Sequence, residues 1–407
     1  MVEQKVLTLN GNEAVVFAVK QCHVDVVAAY PITPQTIMVE RFSEYVANGQ
    51  VGTEFICTES EHSAITVCLA ASLTGVRAFT ASSSQGLALM HEMLFITSGF
   101  RAPVVMAIAN RSLSAPINIH GDHSDTMAQR DSGWIQIYVE NVQEVYDSVI
   151  QAFRIAEHPN VLLPAMVCLD GFTLSHSLEN LNVLPDDVVK KFVGIRQFPN
   201  VYTHEKKVTP FKLDPENPLT IGPVVYSDFY FEFKRQQEEA MKNALKVITQ
   251  VHDEYAQLSG RSYGDGLLEP YYLEDAEIAT VCLGSTAGTV KTVVDDLRAK
   301  GIKAGLLRIR SFRPFPAEDI LKALENVKAI AVMDKSMSLG GHCGPVFHEV
   351  CSTLYNSEKR PFIVNYIYGL GGRDISPMHI HGIYEDLRKI LRENQVGALI
   401  KYVGLKE

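Results

Sequence analysis

Short apolar runs alternate with segments of helical spacing in the first part of the chain, and this alternation constrains the fold more than any other feature. Six short runs predict strands, at residues 26–29, 55–57, 78–81, 103–109, 135–139 and 162–169. Helical spacing of apolar residues is found at 36 onward, 62–73, 86–98 and 142–157. Because crossover helices cover both faces of a parallel sheet, this order predicts an α/β domain built on such a sheet.

A second α/β unit is predicted after residue 265. Its strands are expected at 278–283, 305–309, 329–333 and 362–366. Its helices are expected at 286–299, 316–326, 346–355 and 381–393. We therefore divide the chain into residues 1–265 and 266–407.

The end of the first unit, about residues 175–265, is predicted to be an irregular extension followed by a long helix. Periodicity is lost over 175–225, where prolines recur among many aromatic and aliphatic residues. This composition predicts packed extended chain rather than disordered linker. Helical spacing returns over 229–257, with Glu, Lys and Gln on one face.

Length and charge exclude several classes of protein. A chain of 407 residues suffices for two or three domains. Its net charge of −10 argues against a basic nucleic-acid-binding face. No apolar run approaches the ~20 residues needed to span a bilayer, and residues 1–9 lack the regions of a secretory signal. We expect no nucleic-acid partner, no membrane span and a cytoplasmic location.

The cysteines argue against an iron–sulfur cluster on this chain. Such clusters need closely spaced cysteines, and no two here have the C-x-x-C spacing. Apolar neighbours predict mostly buried, reduced thiols. The seven residues are Cys22, Cys57, Cys68, Cys168, Cys282, Cys343 and Cys351.

Two polar motifs each follow a predicted strand and open a helical pattern. They are Tyr-Pro-Ile-Thr-Pro at 30–34 and Glu-Ser-Glu-His at 59–62. In open α/β sheets, ligands bind in the crevice at the carboxyl ends of the strands. The sequence therefore places the hydroxyl of Thr33 and the carboxyl group of Glu61 on the same rim.

At these residues the chain resembles the α subunit of multi-subunit pyruvate:ferredoxin oxidoreductases, thiamine-diphosphate enzymes of the 2-oxoacid:ferredoxin oxidoreductase family. The resemblance covers essentially the whole chain. It includes Ser-Ser-Ser-Gln-Gly at 82–86, Asn-Arg-Ser-Leu-Ser-Ala-Pro at 110–116 and His-Gly-Asp-His-Ser-Asp at 120–125. The resemblance implies a pyrimidine-type thiamine-diphosphate-binding parallel-sheet domain, followed by an α/β domain like the C-terminal domain of transketolase.

The implied activity is the reversible oxidative decarboxylation of pyruvate with coenzyme A in anaerobic metabolism. The products are acetyl-CoA and CO2, and ferredoxin is reduced. Glu61 is the catalytic residue that the resemblance implies. A glutamate bonded to ring nitrogen N1′ of the cofactor drives its imino tautomer, and partial burial raises the proton affinity of that glutamate.

Each implied site residue has an ordinary structural alternative. Glu59 competes with Glu61, although the family pattern aligns Glu61. The structural alternative for Glu61 is a first-turn acid stabilised by the helix dipole. Thr33 is implied to contact the 2-oxoacid, and the alternative is a helix N-cap. Arg111 is implied to hold the substrate carboxylate through two hydrogen bonds, and the alternative is a solvated or ion-paired surface residue.

The loop Ser83, Ser84 and Gln85 is implied to contact the aminopyrimidine ring of the cofactor, with Gly86 permitting close backbone approach. The alternative is an ordinary surface loop. The His and Asp side chains of 120–125 are of the types that bind zinc. Their spacing lacks a further histidine upstream, so we expect a polar loop beside the site and no metal on this chain.

Residues 264–266, Gly-Asp-Gly, resemble the start of the motif that binds Mg²⁺ and diphosphate in thiamine-diphosphate enzymes. The asparagine of that motif is absent from 290–295, so a turn is predicted. The glycine-rich segments 340–345 and 369–374 are predicted to be packing and interface turns.

The missing half-site is implied to come from a β subunit, which carries Mg²⁺ and shares the cofactor. The [4Fe-4S] clusters are implied to lie on partner chains, with γ and ferredoxin-like δ subunits completing a hetero-oligomer that serves ferredoxin or flavodoxin. Three rivals stay open: the same chemistry on 2-oxoglutarate, a branched-chain oxoacid or oxalate; a non-catalytic scaffold; and a metal hydrolase.

Overall fold

The computed structural model describes residues 2–203 and 206–406. Its N-terminal part alternates strands and helices up to residue 170. These elements are β1 (Lys5–Leu9), α1 (Gly11–Gln21), β2 (Val26–Ala29), α2 (Thr36–Ala47), β3 (Glu54–Cys57), α3 (Glu61–Thr74), β4 (Ala78–Ser82), α4 (Ser84–Leu89), α5 (His91–Gly99), β5 (Val105–Asn110), α6 (Ser124–Met127), β6 (Ile135–Tyr138), α7 (Val142–Ala156) and β7 (Ala165–Asp170).

The segment that follows contains short strands and one short helix, and it ends in a long helix. It contains β8 (Glu179–Val183), α8 (Asp186–Val193), β9 (Asn200–Tyr202), β10 (Val208–Pro210) and α9 (Ser227–Ser259). Strand β8 pairs antiparallel with β1, and β9 pairs antiparallel with β10. Helix α9 has 33 residues and packs on α7, so it is roughly 50 Å long.

The C-terminal part again alternates strands and helices. Its elements are β11 (Leu268–Tyr271), β12 (Ile278–Cys282), α10 (Thr286–Ala299), β13 (Ala304–Ile309), β14 (Ser311–Arg313), α11 (Ala317–Leu324), β15 (Ala329–Asp334), α12 (Pro345–Leu354), β16 (Phe362–Ile367), α13 (Pro377–Glu393) and β17 (Ile400–Tyr402), with a 3₁₀ turn at Leu370–Gly372.

Two parallel sheets organise the molecule. The first has the order β14-β6-β7-β5-β4-β2-β3, and only the β14–β6 pair is antiparallel. The second has the order β11-β13-β12-β15-β16-β17, and only the β11–β13 pair is antiparallel. Strands β4 to β7 are buried throughout, as expected where helices cover both faces of a parallel sheet.

The two units are joined by more than the chain that connects them. Strand β14 lies beyond residue 265 yet extends the first sheet, with Ser311 opposite Ile137. Arg308 on β13 and Arg310 just after it donate to the Glu144 carboxylate on α7, at 2.5 and 2.8 Å, and all three side chains are fully buried. Such charges are stable in the interior only when they are paired, so this cluster ties the second unit to the first.

The structure confirms the predicted α/β class and the long helix, and it corrects two details. The helix predicted at 86–98 is two helices, α4 and α5, which meet at Met90. The extension predicted as extended chain includes the short helix α8, which Pro185 precedes and whose first turn carries Asp186 and Asp187. In the described residues, no helix combines the length and the apolar character needed to cross a membrane.

Candidate active site

Four connections meet at the carboxyl edge of the first sheet. Strands β5, β4, β2 and β3 are consecutive neighbours in it. Thr33 follows β2, Glu61 begins α3 after β3, Ser83 follows β4 and Arg111 follows β5. Because parallel strands end at the same edge, side chains that are far apart in sequence are brought together here.

Glu61 is the first residue of α3 and is only 6% exposed. The hydroxyl of the preceding Ser60 accepts a hydrogen bond from the Ser63 amide at 3.2 Å, which fixes the start of the helix. The Glu61 carboxyl group lies directly on the backbone of Gly86: a Cβ at that position would be 2.5 Å from Glu61 Oε1. A side chain at position 86 would therefore displace this carboxyl group.

Glu59, the competing acid, lies in a different environment. Its side chain is exposed and accepts a short hydrogen bond from the Ser63 hydroxyl. That hydrogen bond lowers the pKa of the Glu59 carboxyl group. The structure thus separates the two acids, since one faces solvent and the other lies against the loop that follows β4.

The loop after β4 presents hydroxyl groups without partners. Ser82 Oγ and Ser83 Oγ are buried, and neither has a hydrogen-bond partner in the part of the chain that the structure describes. Ser82 Oγ lies near Gly86, 2.5 Å from where a Cβ would be. A buried hydroxyl left unpaired costs about 1–3 kcal/mol, so these groups are candidates for contact with a bound ligand.

The Arg111 side chain contacts Thr33, Gln85 and Asn118. Its Nη1 donates to the Thr33 carbonyl at 2.8 Å, its Nε to the Asn118 carbonyl at 3.1 Å, and its Nη2 lies 3.5 Å from Gln85 Oε1. All three partners are neutral, and burial lowers the pKa of the guanidinium. Within residues 2–203 and 206–406, no carboxylate forms an ion pair with it. The ion-paired alternative for Arg111 is therefore not observed among the described residues.

Thr33 is exposed, and helix α2 begins three residues after it. The residue before that helix is Gln35, which makes no side-chain capping bond. Instead, the Gln35 side chain donates to the Ala81 carbonyl at 3.0 Å and accepts from the Ile32 amide at 3.2 Å. The capping alternative for Thr33 is therefore not observed, and its hydroxyl is available at the rim.

The two histidines of the loop 120–125 contact Asp170 and Phe172. His123 Nε2 lies 2.9 Å from Asp170 Oδ1, and His120 packs on Phe172 with ring centroids 5.0 Å apart. Among the described residues, no three His, Cys, Asp or Glu side chains are grouped as metal ligands. Residues 264–266 form a turn in which Asp265 Oδ1 accepts from the amides of Leu267 and Leu268.

Two buried carboxylates at this edge have partners that the sequence analysis did not predict: Asp125 was considered only as a possible metal ligand, and Asp170 was not considered. Asp125 accepts hydrogen bonds from the amides of Ser84 and Arg111, at 3.0 and 2.9 Å. Asp170 binds Lys335 Nζ at 2.9 Å and the Ser285 amide at 3.0 Å, both in the second unit. The sequence does contain a signal for each acid: Asp125 lies in a motif, and Asp170 directly follows a predicted buried strand. An acid is rarely buried in a protein unless it has partners.

The glycine-rich turn of the second unit lies on the loop that follows Arg111. The Gly371 amide donates to Asp122 Oδ2, and Asn118 Nδ2 donates to the Gly371 carbonyl, both at 3.0 Å. Gly371 has a φ of +60° and approaches closely, since a Cβ would be 2.4 Å from Asn118 Nδ2. This turn therefore packs between the units, as predicted for residues 369–374.

Comparison with known proteins identifies two family regions. Residues 17–253 match the family described as "Pyruvate flavodoxin/ferredoxin oxidoreductase, thiamine diP-bdg", and residues 276–380 match "Pyruvate:ferredoxin oxidoreductase core domain II". The gap between the two matches includes the predicted boundary at residue 265.

Relatives match along the full chain. Pyruvate synthase subunit PorA of Methanocaldococcus jannaschii is 50% identical over 407 residues, covering 100% of this chain and 99% of that one. The subunit of the same name from Thermotoga maritima is 49% identical and covers 98% of each chain. Ketoisovalerate oxidoreductase subunit VorA of Pyrococcus abyssi is 42% identical, covering 100% of each.

Two solved structures share the fold. A 2-oxoglutarate:ferredoxin oxidoreductase from Magnetococcus marinus superposes with a TM-score of 0.72 at 20% identity, covering 93% of this chain and 65% of that one. A split-gene transketolase superposes with a TM-score of 0.52 at 12% identity, covering 94% and 98%. These likenesses confirm the predicted fold class, and the full-length relatives confirm the resemblance. The chain belongs to the pyruvate flavodoxin/ferredoxin oxidoreductase family.

Proposed function

We propose that this chain is the catalytic α subunit of a pyruvate:ferredoxin oxidoreductase. In the assembled enzyme, pyruvate and coenzyme A are converted to acetyl-CoA and CO2 while ferredoxin is reduced. The observation that carries the proposal is that Arg111 and Glu61 lie on the same rim of the sheet. Arg111 is buried and has no carboxylate partner in the part of the chain that the structure describes, and it follows β5 at the sheet edge where the buried acid Glu61 begins α3.

The residues at the rim fit thiamine diphosphate. When bound, this cofactor stabilises the carbanion that results from loss of CO2 from a 2-oxoacid. Glu61 would hold ring nitrogen N1′ and exchange a proton with it. The unpaired hydroxyls of Ser82 and Ser83 would accept or donate hydrogen bonds at the aminopyrimidine edge. Gly86 leaves room for the Glu61 carboxyl group and the Ser82 hydroxyl to lie against the backbone here.

Arg111 would bind the substrate carboxylate. A guanidinium has five N–H groups, and three of them point to the carbonyls of Thr33 and Asn118 and to Gln85. These contacts orient the planar group and leave two N–H groups for the substrate. Removing a charge-assisted bond of this kind costs roughly 1.5–3 kcal/mol. The exposed Thr33 hydroxyl lies beside this position and would contact the oxoacid.

The remaining components would come from other chains. A β subunit would bind Mg²⁺ and the diphosphate, because residues 264–266 form an ordinary turn. The [4Fe-4S] clusters would lie on partner subunits, with γ and δ subunits and ferredoxin or flavodoxin completing electron transfer. This assembly would work in the cytoplasm. Five of the seven free thiols on this chain are buried, and burial raises the pKa of several of them, which disfavours thiolate ligands.

A second substrate class is favoured by one observation. A ketoisovalerate oxidoreductase subunit matches the full chain at 42% identity. A branched-chain oxoacid carries the same carboxylate and ketone, so Arg111 and Glu61 would serve it equally. Steady-state rates with pyruvate, 2-oxoisovalerate, 2-oxoglutarate and oxalate decide between them. A kcat/KM highest for pyruvate supports the first proposal.

The role of Glu61 is tested by Glu61→Gln in the co-purified assembly. General acid–base groups contribute roughly 10²–10⁴-fold, so we expect kcat for pyruvate-dependent dye reduction to fall by about that factor. Glu59→Gln is the matched control, because it changes an exposed acid two residues away. Equal activity of the two variants would contradict the role of Glu61, and an assembly with no activity on any 2-oxoacid would contradict the proposed function.

A further inference from the structure

Asp125 is held in an environment made of N–H groups. It lies in α6 and is 1% exposed. Its Oδ2 accepts from the amides of Ser84 and Arg111, and its Oδ1 accepts from Asn110 Nδ2 at 2.8 Å and from the Thr126 amide at 2.7 Å. No ion pair to Asp125 occurs among the described residues. Four donors thus converge on one carboxylate.

Two of these donors belong to different loops of the candidate site. The Ser84 amide lies at the start of α4, after β4, whereas the Arg111 amide follows β5. Ser84 has a φ of +48°, a left-handed conformation that is costly for a residue with a side chain. Such a conformation persists where surrounding contacts fix it, and the hydrogen bond to Asp125 is one of these contacts.

The side chains that follow these amides meet at the rim. Gln85 is next to Ser84, and its Oε1 lies 3.5 Å from Arg111 Nη2. The Ser84 hydroxyl donates to the Ser112 carbonyl at 2.5 Å, which joins the same two loops again. Asp125 itself is buried behind them. It therefore sets the separation of Gln85 and Arg111 without reaching the crevice.

We propose that Asp125 is a positioning residue for the 2-oxoacid site, which acts by holding the backbones of Ser84 and Arg111 together. The inference rests on the proposed function. A displacement of about 1 Å by a residue remote from the chemistry can cost roughly 10²-fold in rate. Loosening the Arg111 backbone would weaken the grip on the substrate carboxylate more than it would impair proton exchange at Glu61, which lies on α3.

Asp125→Asn in the assembled enzyme tests this inference. Asparagine has one oxygen, so its NH2 group must face two N–H donors in either orientation. We expect KM for pyruvate to rise roughly tenfold to a hundredfold, with a smaller fall in kcat. The matched control is Asp334→Asn. Asp334 is also buried and also accepts only N–H donors, from the amides of Val346 and Phe347 and from Asn365.

The control separates positioning from simple loss of stability. Both variants remove a buried carboxylate, and only Asp125→Asn should change KM. An unchanged KM, or the same rise in both variants, would overturn the inference while leaving pyruvate activity of the wild type intact. If Asp125→Asn does not assemble, Asn110→Ala removes one of the four donors, and a rise of about threefold in KM is expected. An unchanged KM in that variant would also overturn it.

Discussion

Two buried aspartates at the same sheet edge are held in opposite ways. Asp125 accepts from neutral N–H donors: the amides of Ser84, Arg111 and Thr126 and the side chain of Asn110. Asp170, at the end of β7, binds the cationic Lys335, His123 and the Ser285 hydroxyl, which bridges the two units. Burial raises the pKa of Asp125 to about 6. Burial also acts on Asp170, but Lys335 and His123 outweigh it and hold its pKa well below the ordinary value.

The difference shows what each partner type can do. Backbone amides lie at fixed points on the chain, so a carboxylate bound to them fixes backbone geometry within one unit. A lysine ammonium is a point charge on a long stem, so its pairing with a carboxylate attaches one unit to another with less angular precision. Asp125 therefore suits the positioning of Arg111, whereas Asp170 suits the joining of the units. Three experiments can break or sharpen this contrast.

The largest effect is expected for Asp170→Asn. Removing one partner of a buried pair leaves the other charge uncompensated and costs about 3–5 kcal/mol. Lys335 is the charge left behind, since its side chain is only 9% exposed. Urea denaturation of the assembled enzyme should show this loss of unfolding free energy. The double variant Asp170→Asn/Lys335→Met should recover part of it, and a double variant no more stable than Asp170→Asn would contradict the ion-pair explanation.

The contacts of Asp170 with the second unit also show which part of the structure could not be predicted from the sequence. Strands β2 to β7, β12, β13, β15 and β16 were predicted from local periodicity, and Thr33 and Glu61 were placed on the rim because motifs mark strand ends. Arg111 was implied by the family resemblance. Asp170 is 115 residues from Ser285 and 165 residues from Lys335, and its pairing with them depends on how the two sheets pack. Nothing local in the sequence specifies that packing.

Strand β14 was missed for a related reason. It has three residues, Ser311 to Arg313, and it pairs with a strand of the other unit. A segment of this length carries no measurable alternation. Helix α8 was missed because a proline-rich stretch surrounds it, although Pro185 before acidic residues is a start signal that the sequence does contain. The roles of the site residues stay predictions until the variants are measured.

The second experiment uses pH, and it predicts that stability between pH 4 and 6 depends on pH through Asp125 but not through Asp170. The folded-state pKa of Asp125 is raised, so its contribution to stability is fully present below the ordinary value of 3.8 and is lost as pH rises through about 6. The corresponding change is at most roughly 3 kcal/mol. The charged or titratable groups near Asp125 are Arg111, Asp122, Tyr138 and Cys168.

For Asp170 the pKa is depressed, so its contribution is present above the ordinary value of 3.8 and is lost only as pH falls below it. Between pH 4 and 6, the stability of the wild type relative to Asp125→Asn should therefore fall as pH rises. Relative to Asp170→Asn it should stay level. Denaturant midpoints of the three proteins at stepped pH measure both differences. If both stability differences changed with pH at the same rate, the amide donors around Asp125 and the cation beside Asp170 would not affect the two carboxyl groups as described.

The smallest effect is expected for Asn118→Ala, which tests whether the two regions are coupled. The Asn118 side chain donates to the Gly371 carbonyl and accepts from the His120 amide at 2.7 Å, so it joins the loop after Arg111 to the second unit. Its own carbonyl, which receives Arg111 Nε, is kept in the variant. We expect a loss of about 0.5–1.5 kcal/mol and a small rise in KM for pyruvate. Asn180→Ala is the control, because it removes one exposed hydrogen bond from Thr8 in the β1–β8 pair. If Asn118→Ala leaves KM as unchanged as Asn180→Ala does, the second unit does not influence Arg111 through this contact, and the position of the arginine depends on contacts within the first unit.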